Sequence, residues 1–134
     1  MDKNASVFLS TACKLAFSQH SLLIDDLGSF REALKANGMS EREILEAQKL
    51  LGRSGLVKVY PAISPGLKLF EITSEGLERF FVGEYGLAGY NKILGDVARI
   101  KQERLMRGVR VTSDSIAEEL KLSTMLVDHI LITR

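Results

Sequence analysis

The sequence predicts a mainly helical chain with one small β-hairpin, organised as two three-helix units in tandem. Apolar residues recur at helical spacing through most of the 134 residues, whereas residues 57–72 change to the alternation typical of strands. A second helical stretch, in the C-terminal part of the chain, repeats the register of the first. The composition, 46% apolar and 26% charged, favours a globular protein over a disordered one.

Three helices are predicted ahead of the hairpin, at residues 4–19, 27–35 and 41–53. Each has apolar residues on one face. The pair Asn37-Gly38 marks the turn between the second and the third helix. The third helix opens at Ser40-Glu41-Arg42-Glu43, a capping box in which the serine and the glutamate each accept a hydrogen bond from the other's backbone amide.

The hairpin is predicted from two short runs rich in β-branched and aromatic residues, 57–60 and 68–72. Ser64-Pro65-Gly66-Leu67 lies between them. Proline sets the φ of the first central position of a type II turn, and glycine tolerates the positive φ of the second. Thr73 then caps a further helix through its hydroxyl.

This segment resembles the winged helix-turn-helix superfamily, which includes many small transcription regulators. The resemblance spans Leu22 to Phe81 and implies a wing, here the hairpin, that follows the second helix of a helix-turn-helix. It implies binding to double-stranded DNA through that helix and the wing. The residues that carry the pattern are Gly55-Leu56-Val57, Phe70, Ile72-Thr73 and Gly76-Leu77.

A second helix-turn-helix is predicted at residues 116–130, after a helix at 90–100. Lys121 occupies the turn position that the pattern usually gives to glycine. Aligning Gly38 with Lys121 gives an offset of 121 − 38 = 83 residues, at which the apolar registers coincide, including those of the first helices of the two units. We therefore expect a winged-helix unit at 1–82, a glycine-rich junction at 83–89 and a second unit at 90–134. The wing of the second unit would start near residue 140, so that unit lacks a wing or the chain is a fragment.

The net charge argues mildly against a nucleic-acid partner. Residues 1–82 contain ten basic and ten acidic residues, and residues 83–134 contain eight and seven. DNA-binding domains more often have a basic excess, although the distribution of charge over the surface matters more than the sum. Three glutamates on the helix at 41–53 also disfavour a polyanion.

The candidate DNA contacts fall into three groups. Residues on the second helix of each helix-turn-helix are placed to reach base edges, lysines of the wing are placed to reach the backbone, and a basic run near residues 99–110 is expected to follow phosphates along one helix face. Solvent-exposed or partner-facing helix surface is the alternative for each group. The predicted contacts are Arg42, Lys49 and Arg53, then Lys58 and Lys68, then Arg104 and Arg107, and finally Ser123, Thr124, Met125 and His129.

The sequence gives little support for an enzyme. The two histidines lie far apart without metal-ligand spacing, and phosphate-binding or nucleophile motifs do not occur, so we expect no enzyme activity, metal or cofactor. Cys13 lies among apolar residues and is expected to pack in the core. No membrane span or signal peptide is predicted, and we expect a cytoplasmic protein. A DNA-binding transcription regulator is the first expectation. A winged-helix protein-interaction scaffold, similar to the tandem winged-helix partners of chromosome-segregation complexes, is the alternative, and a homodimer or protein partner fits either.

Overall fold

The computed structural model describes residues 2–63 and 65–134, and it divides into two compact units, Met1–Phe80 and Phe81–Arg134. The chain is mainly helical with a small antiparallel sheet, as the sequence predicted. Its elements in order are α1 (Lys3–Gln19), β1 (Leu23–Ile24), α2 (Leu27–Ala36), α3 (Glu41–Arg53), β2 (Val57–Val59), β3 (Phe70–Ile72), α4 (Ser74–Met106), α5 (Ser113–Leu120) and α6 (Thr124–Thr133).

The helix ends of the first unit follow from side-chain caps. The Asp2 carboxylate accepts from the Ala5 amide at 2.8 Å and begins α1. The predicted capping box of α3 is confirmed: the Glu43 amide donates to Ser40 Oγ at 3.2 Å, and the Ser40 amide donates to Glu43 Oε1 at 2.8 Å. Because these caps satisfy backbone groups that the helix itself leaves unpaired, they fix where each helix starts.

The sheet has three strands in the order β1-β3-β2, all antiparallel. The predicted hairpin is confirmed, with Val57 opposite Ile72 and Val59 opposite Phe70. The third strand, β1, was not predicted. The predicted turn Ser64-Pro65-Gly66-Leu67 includes Ser64, which lies outside the described residues. Gly66 has a φ of +107°, a value that favours glycine.

Three phenylalanines from α1, α2 and β3 form the centre of the first unit. The ring centroids of Phe8 and Phe30 lie 4.9 Å apart, and the Phe70 centroid lies 5.3 Å from each of them. All three side chains are fully buried. Because ring pairs at this spacing add to the free energy of burial, this cluster fastens the sheet to the helices.

The start of α4 explains the Thr73 and Gly76 positions of the sequence pattern. Thr73 Oγ1 accepts from the Gly76 amide at 3.0 Å and donates to the Gly55 carbonyl at 2.7 Å. A Cβ on Gly76 would overlap the carbonyl oxygen of Leu56. Only glycine therefore lets α4 begin this close to Leu56, the residue that directly precedes β2.

Helix α4 is interrupted inside the glycine-rich segment 83–89, where the sequence predicted that the glycines break the helical pattern. Gly86 has a φ of +74° and a ψ of +160°, so residues 74–106 form two helical segments that meet at a kink there. Gly83 and Gly89 remain helical. Glycine adopts this positive φ without the steric cost that a side chain would add, which explains why the kink falls at Gly86. The division into units lies between Phe80 and Phe81.

The turns of the two helix pairs, α2–α3 and α5–α6, match at an offset of 83 residues. The Met39 amide donates to the Leu34 carbonyl at 3.1 Å, and the Leu122 amide donates to the Ala117 carbonyl at 2.9 Å. Lys121 adopts the left-handed conformation, with a φ of +56°, where Gly38 has +86°. Lysine thus makes the same tight turn as glycine, with the backbone strain that a side chain adds there.

The predicted coincidence does not extend to the first helix of each unit. Buried Phe8, Ala12 and Ala16 of α1 correspond at this offset to exposed residues of α4, namely Asn91, Gly95 and Arg99. The residues of α4 that are buried are Tyr90, Val97 and Ile100. The expected match between Val7–Phe17 and Tyr90–Ile100 is therefore wrong, and the structural repeat is limited to the helix pairs.

Candidate nucleic-acid interface

A groove with a volume of about 1130 Å³ lies between α3 and the β2–β3 hairpin. One wall is the outward face of α3, and the other is formed by the hairpin. Residues on α3 at spacings of four, three and four lie along one helix face because the helix repeats every 3.6 residues. This α3 stripe consists of Arg42, Glu46, Lys49 and Arg53, and all four residues line the groove.

Gln48 joins the two walls of the groove. This side chain is only 4% exposed, and its Nε2 donates to the Lys68 carbonyl at 2.8 Å while its Oε1 accepts from the Lys68 amide at 3.0 Å. The two bonds tie the hairpin backbone to α3. We did not predict this role from the sequence, although a glutamine on the buried face beside Ile44, Ala47 and Leu51 was a visible signal.

The three glutamates of α3, whose negative charge disfavours a polyanion, each have a partner. Glu41 pairs with Arg31 and Lys35 at 3.4 Å. Glu43 accepts from the Ser40 amide and from the Asn4 side chain, and these hydrogen bonds hold the pKa of its carboxyl below the ordinary value. The third acid, Glu46, pairs with Arg42 at 3.0 Å.

Four cations on this groove have no acidic partner among residues 2–63 and 65–134, the part of the chain that the structure describes: Lys49, Arg53, Lys58 and Lys68. The first two project from α3 and the other two belong to the hairpin. The Lys58 ammonium lies 5.1 Å from the centroid of the Tyr60 ring, a favourable cation–π contact. The sequence-predicted contacts of the first unit therefore lie together around one groove, which is the arrangement a phosphate backbone needs.

The predicted contacts of the second unit do not form a comparable surface. Ser123 is the N-cap of α6, accepting from the Leu126 amide at 3.1 Å, and Thr124 and Met125 open the helix beside it. His129 is 5% exposed, with its ring centroid 6.0 Å from that of Phe81. The prediction that His129 faces outward is wrong, because α4 covers this flank of α6 and widens its buried face.

The basic run of the second unit does not form the predicted stripe. Arg104 donates to Ser115 Oγ at 2.6 Å and pairs with Glu119 at 3.6 Å, so it fastens α4 to α5. Helix α4 ends at Met106, which leaves Arg107 beyond the helix. Its side chain is exposed, and its amide donates to the Glu103 carbonyl at 3.2 Å. Of the two predicted contacts in this run, Arg104 is engaged with α5 and Arg107 is exposed at the end of α4.

The one cysteine of the sequence, Cys13, is a buried core residue. Burial raises the pKa of the Cys13 thiol to about 12, so the thiolate is scarce at neutral pH and the side chain acts as part of the core. Within the described residues, His, Cys, Asp and Glu side chains form no group of three or more that could hold a metal ion. None of the described helices is long and apolar enough to cross a membrane.

Comparisons of the chain with protein-family models, with curated proteins and with solved structures found no match.

Proposed function

We propose that the first unit binds double-stranded DNA and that the protein is a DNA-binding regulator of the winged helix-turn-helix type. The observation that supports this proposal is the set of four cations without acidic partners, Lys49, Arg53, Lys58 and Lys68, around the groove between α3 and the hairpin. The element order α1-β1-α2-α3-β2-β3 is consistent with a helix-turn-helix followed by a wing.

The docking geometry follows from the placement of these cations. In a helix-turn-helix the second helix lies in the major groove, with its N-terminal residues at base edges. Helix α3 is that helix, so Arg42 would reach the bases. Lys49 and Arg53, later along the same face, would lie near phosphates, and Lys58 and Lys68 would place the hairpin on the adjoining backbone.

The small net charge is compatible with this role. Counterion release depends on the charges that meet the phosphates, rather than on the sum over the chain. On the first unit, Glu41 and Glu46 are both held by arginine or lysine side chains, while the cations of the groove remain available. The local surface is therefore more basic than the composition suggests.

The test is a fluorescence anisotropy titration of labelled random duplex DNA at low and moderate salt. The double variant Lys49→Ala/Arg53→Ala should weaken binding severalfold or more. Arg107→Ala/Arg110→Ala is the matched control, because it removes two exposed arginines from the second unit, and it should leave the affinity close to that of the wild type. Equal weakening by both variants, or no binding by the wild type, would contradict the proposal.

A second candidate function, the protein-interaction scaffold, is favoured by the outward face of α6. At the offset of 83 residues, Arg42 and Lys49 of the α3 stripe correspond to Met125 and Ile132. Ile132 is 75% exposed, and Asp128 accepts from Ser113 Oγ at 2.9 Å. This face suits a protein surface better than DNA. Sedimentation of the wild type and of Ile132→Asp tests it: association that the variant abolishes would support this candidate, and a monomer in both cases would count against self-association.

A further inference from the structure

The α3 stripe begins with an ion pair at the position from which base edges are read. Arg42 and Glu46 lie one helical turn apart, and Arg42 Nε donates to Glu46 Oε1 at 3.0 Å. The two side chains are 88% and 64% exposed, so neither is held by the core. An exposed pair of this kind adds little to stability. Both residues line the groove, so the pair lies where a duplex bound to α3 would meet it.

The pair leaves one particular edge of the arginine available. A guanidinium has five N–H donors in a planar fork, and Glu46 accepts from the one on Nε. The two terminal nitrogens keep their outward N–H groups. Guanine presents two acceptors, N7 and O6, side by side in the major groove, and a guanidinium fork matches them with two parallel hydrogen bonds.

The Glu46 carboxylate limits which groups the Arg42 guanidinium can contact. It carries only acceptors, so it is repelled by phosphate oxygens. By holding Nε, Glu46 restrains a long, flexible side chain that would otherwise move to the phosphates. It thereby lowers the entropy cost of presenting the fork to a base. The corresponding residues of the second unit are Met125 and His129, which cannot form such a pair.

We propose that Arg42 reads a guanine in the major groove and that Glu46 is a positioning residue for its guanidinium. This inference rests on the proposed function and adds a specificity to it. The preferred duplex then contains one guanine at which discrimination depends on N7. Phosphate affinity, which comes from Lys49, Arg53, Lys58 and Lys68, is a separate property.

The experiment selects duplexes from a library with a randomised centre and then measures each selected site with 7-deazaguanine at single positions. We expect a guanine at one position and a loss of affinity of roughly 10- to 100-fold when it is replaced by another base. The 7-deazaguanine substitution should cost a large share of that factor, because it removes the N7 acceptor. Arg42→Ala should abolish the guanine preference.

The Glu46 variants separate positioning from a structural role. Glu46→Gln keeps an oxygen that accepts from Nε and should retain the guanine preference. Glu46→Ala should lose much of it, while binding random duplex DNA more tightly than the wild type because a negative charge has been removed. If Glu46 had only a structural role, its removal would not lower the guanine preference while raising the affinity for random duplex DNA.

The two proposals fail in different ways. Binding of random duplexes without a guanine preference, or a preference insensitive to 7-deazaguanine, would overturn the reading role of Arg42 while leaving the proposed function intact. A guanine preference that survives in Glu46→Ala would overturn the positioning role. Absence of duplex binding at low salt would overturn the proposed function itself.

Discussion

Replacing Gln48 by methionine should loosen the hairpin from α3 while leaving the core filled. Methionine has a similar length and no amide, so the variant removes both hydrogen bonds to the Lys68 backbone with little change in volume. A net contribution of about 1 kcal/mol for each bond gives a loss of about 2 kcal/mol in the free energy of unfolding. Lys68 is only half-buried, so water can partly replace the lost partners and keep the loss near this value.

The assay is urea unfolding followed by circular dichroism, together with hydrogen exchange of the Lys68 amide. The exchange protection of that amide should fall, since its only side-chain acceptor among the described residues is removed. Gln48→Glu should destabilise at least as much as Gln48→Met, because it places a buried carboxylate against the Lys68 carbonyl, to which it cannot donate. The matched control is Gln102→Met, an exposed glutamine of α4, which should be close to neutral.

Duplex affinity should fall in Gln48→Met as well, because a mobile hairpin pays an ordering cost on binding. A loss of less than about 0.5 kcal/mol, as for an ordinary surface substitution, with unchanged exchange at Lys68 would refute the reasoning that Gln48 holds the hairpin.

Three further predictions concern the turns and caps. Gly76→Ala should cost at least about 1–3 kcal/mol of stability, since the new Cβ overlaps the Leu56 carbonyl; a neutral thermal shift would contradict that close approach. Lys121→Gly should stabilise the protein by roughly 0.5–1 kcal/mol in urea unfolding, because glycine relieves the left-handed strain, and a destabilised variant would contradict it. The hydrogen bond from the Ser40 amide lowers the pKa of Glu43, so the folded state favours the charged carboxylate. The resulting contribution to the free energy of unfolding is fully present above the unfolded pKa near 4.5, and it is lost as the pH falls through the lower pKa of the folded state. Acid unfolding of Glu43→Gln should therefore be less steep than that of the wild type, and identical profiles would count against the prediction.

Sequence signals within a few residues of each helix end were sufficient to predict the helices of the first unit. The capping box at Ser40 and the pair Asn37-Gly38 set the ends of α2 and α3 to within a residue, because caps and left-handed turns are determined by side chains close in sequence. The strand β1 escaped prediction because Leu23–Ile24 is too short to show alternation. It exists because the edge of β3 offers backbone partners, which is a tertiary effect.

The errors in the candidate site came from contacts that lie far apart in sequence. Periodicity placed Val127 and Ile130 on the inner face of α6, but it could not show that Phe81 covers the side where His129 lies. Arg104 belonged to a basic run, yet its partners are on α5. The grouping of Lys49, Arg53, Lys58 and Lys68 was expected from the resemblance. The two hydrogen bonds by which Gln48 joins α3 to the hairpin could be recognised only from the structure.

The salt dependence of duplex affinity tests the central claim most directly. If Lys49, Arg53, Lys58 and Lys68 each neutralise a phosphate, the logarithm of the association constant should fall with the logarithm of salt concentration with a slope of about −3.6, and it should become less steep by about 0.9 for each of these cations replaced by alanine. Absence of binding at low salt, or a slope that none of the four substitutions changes, would contradict the account.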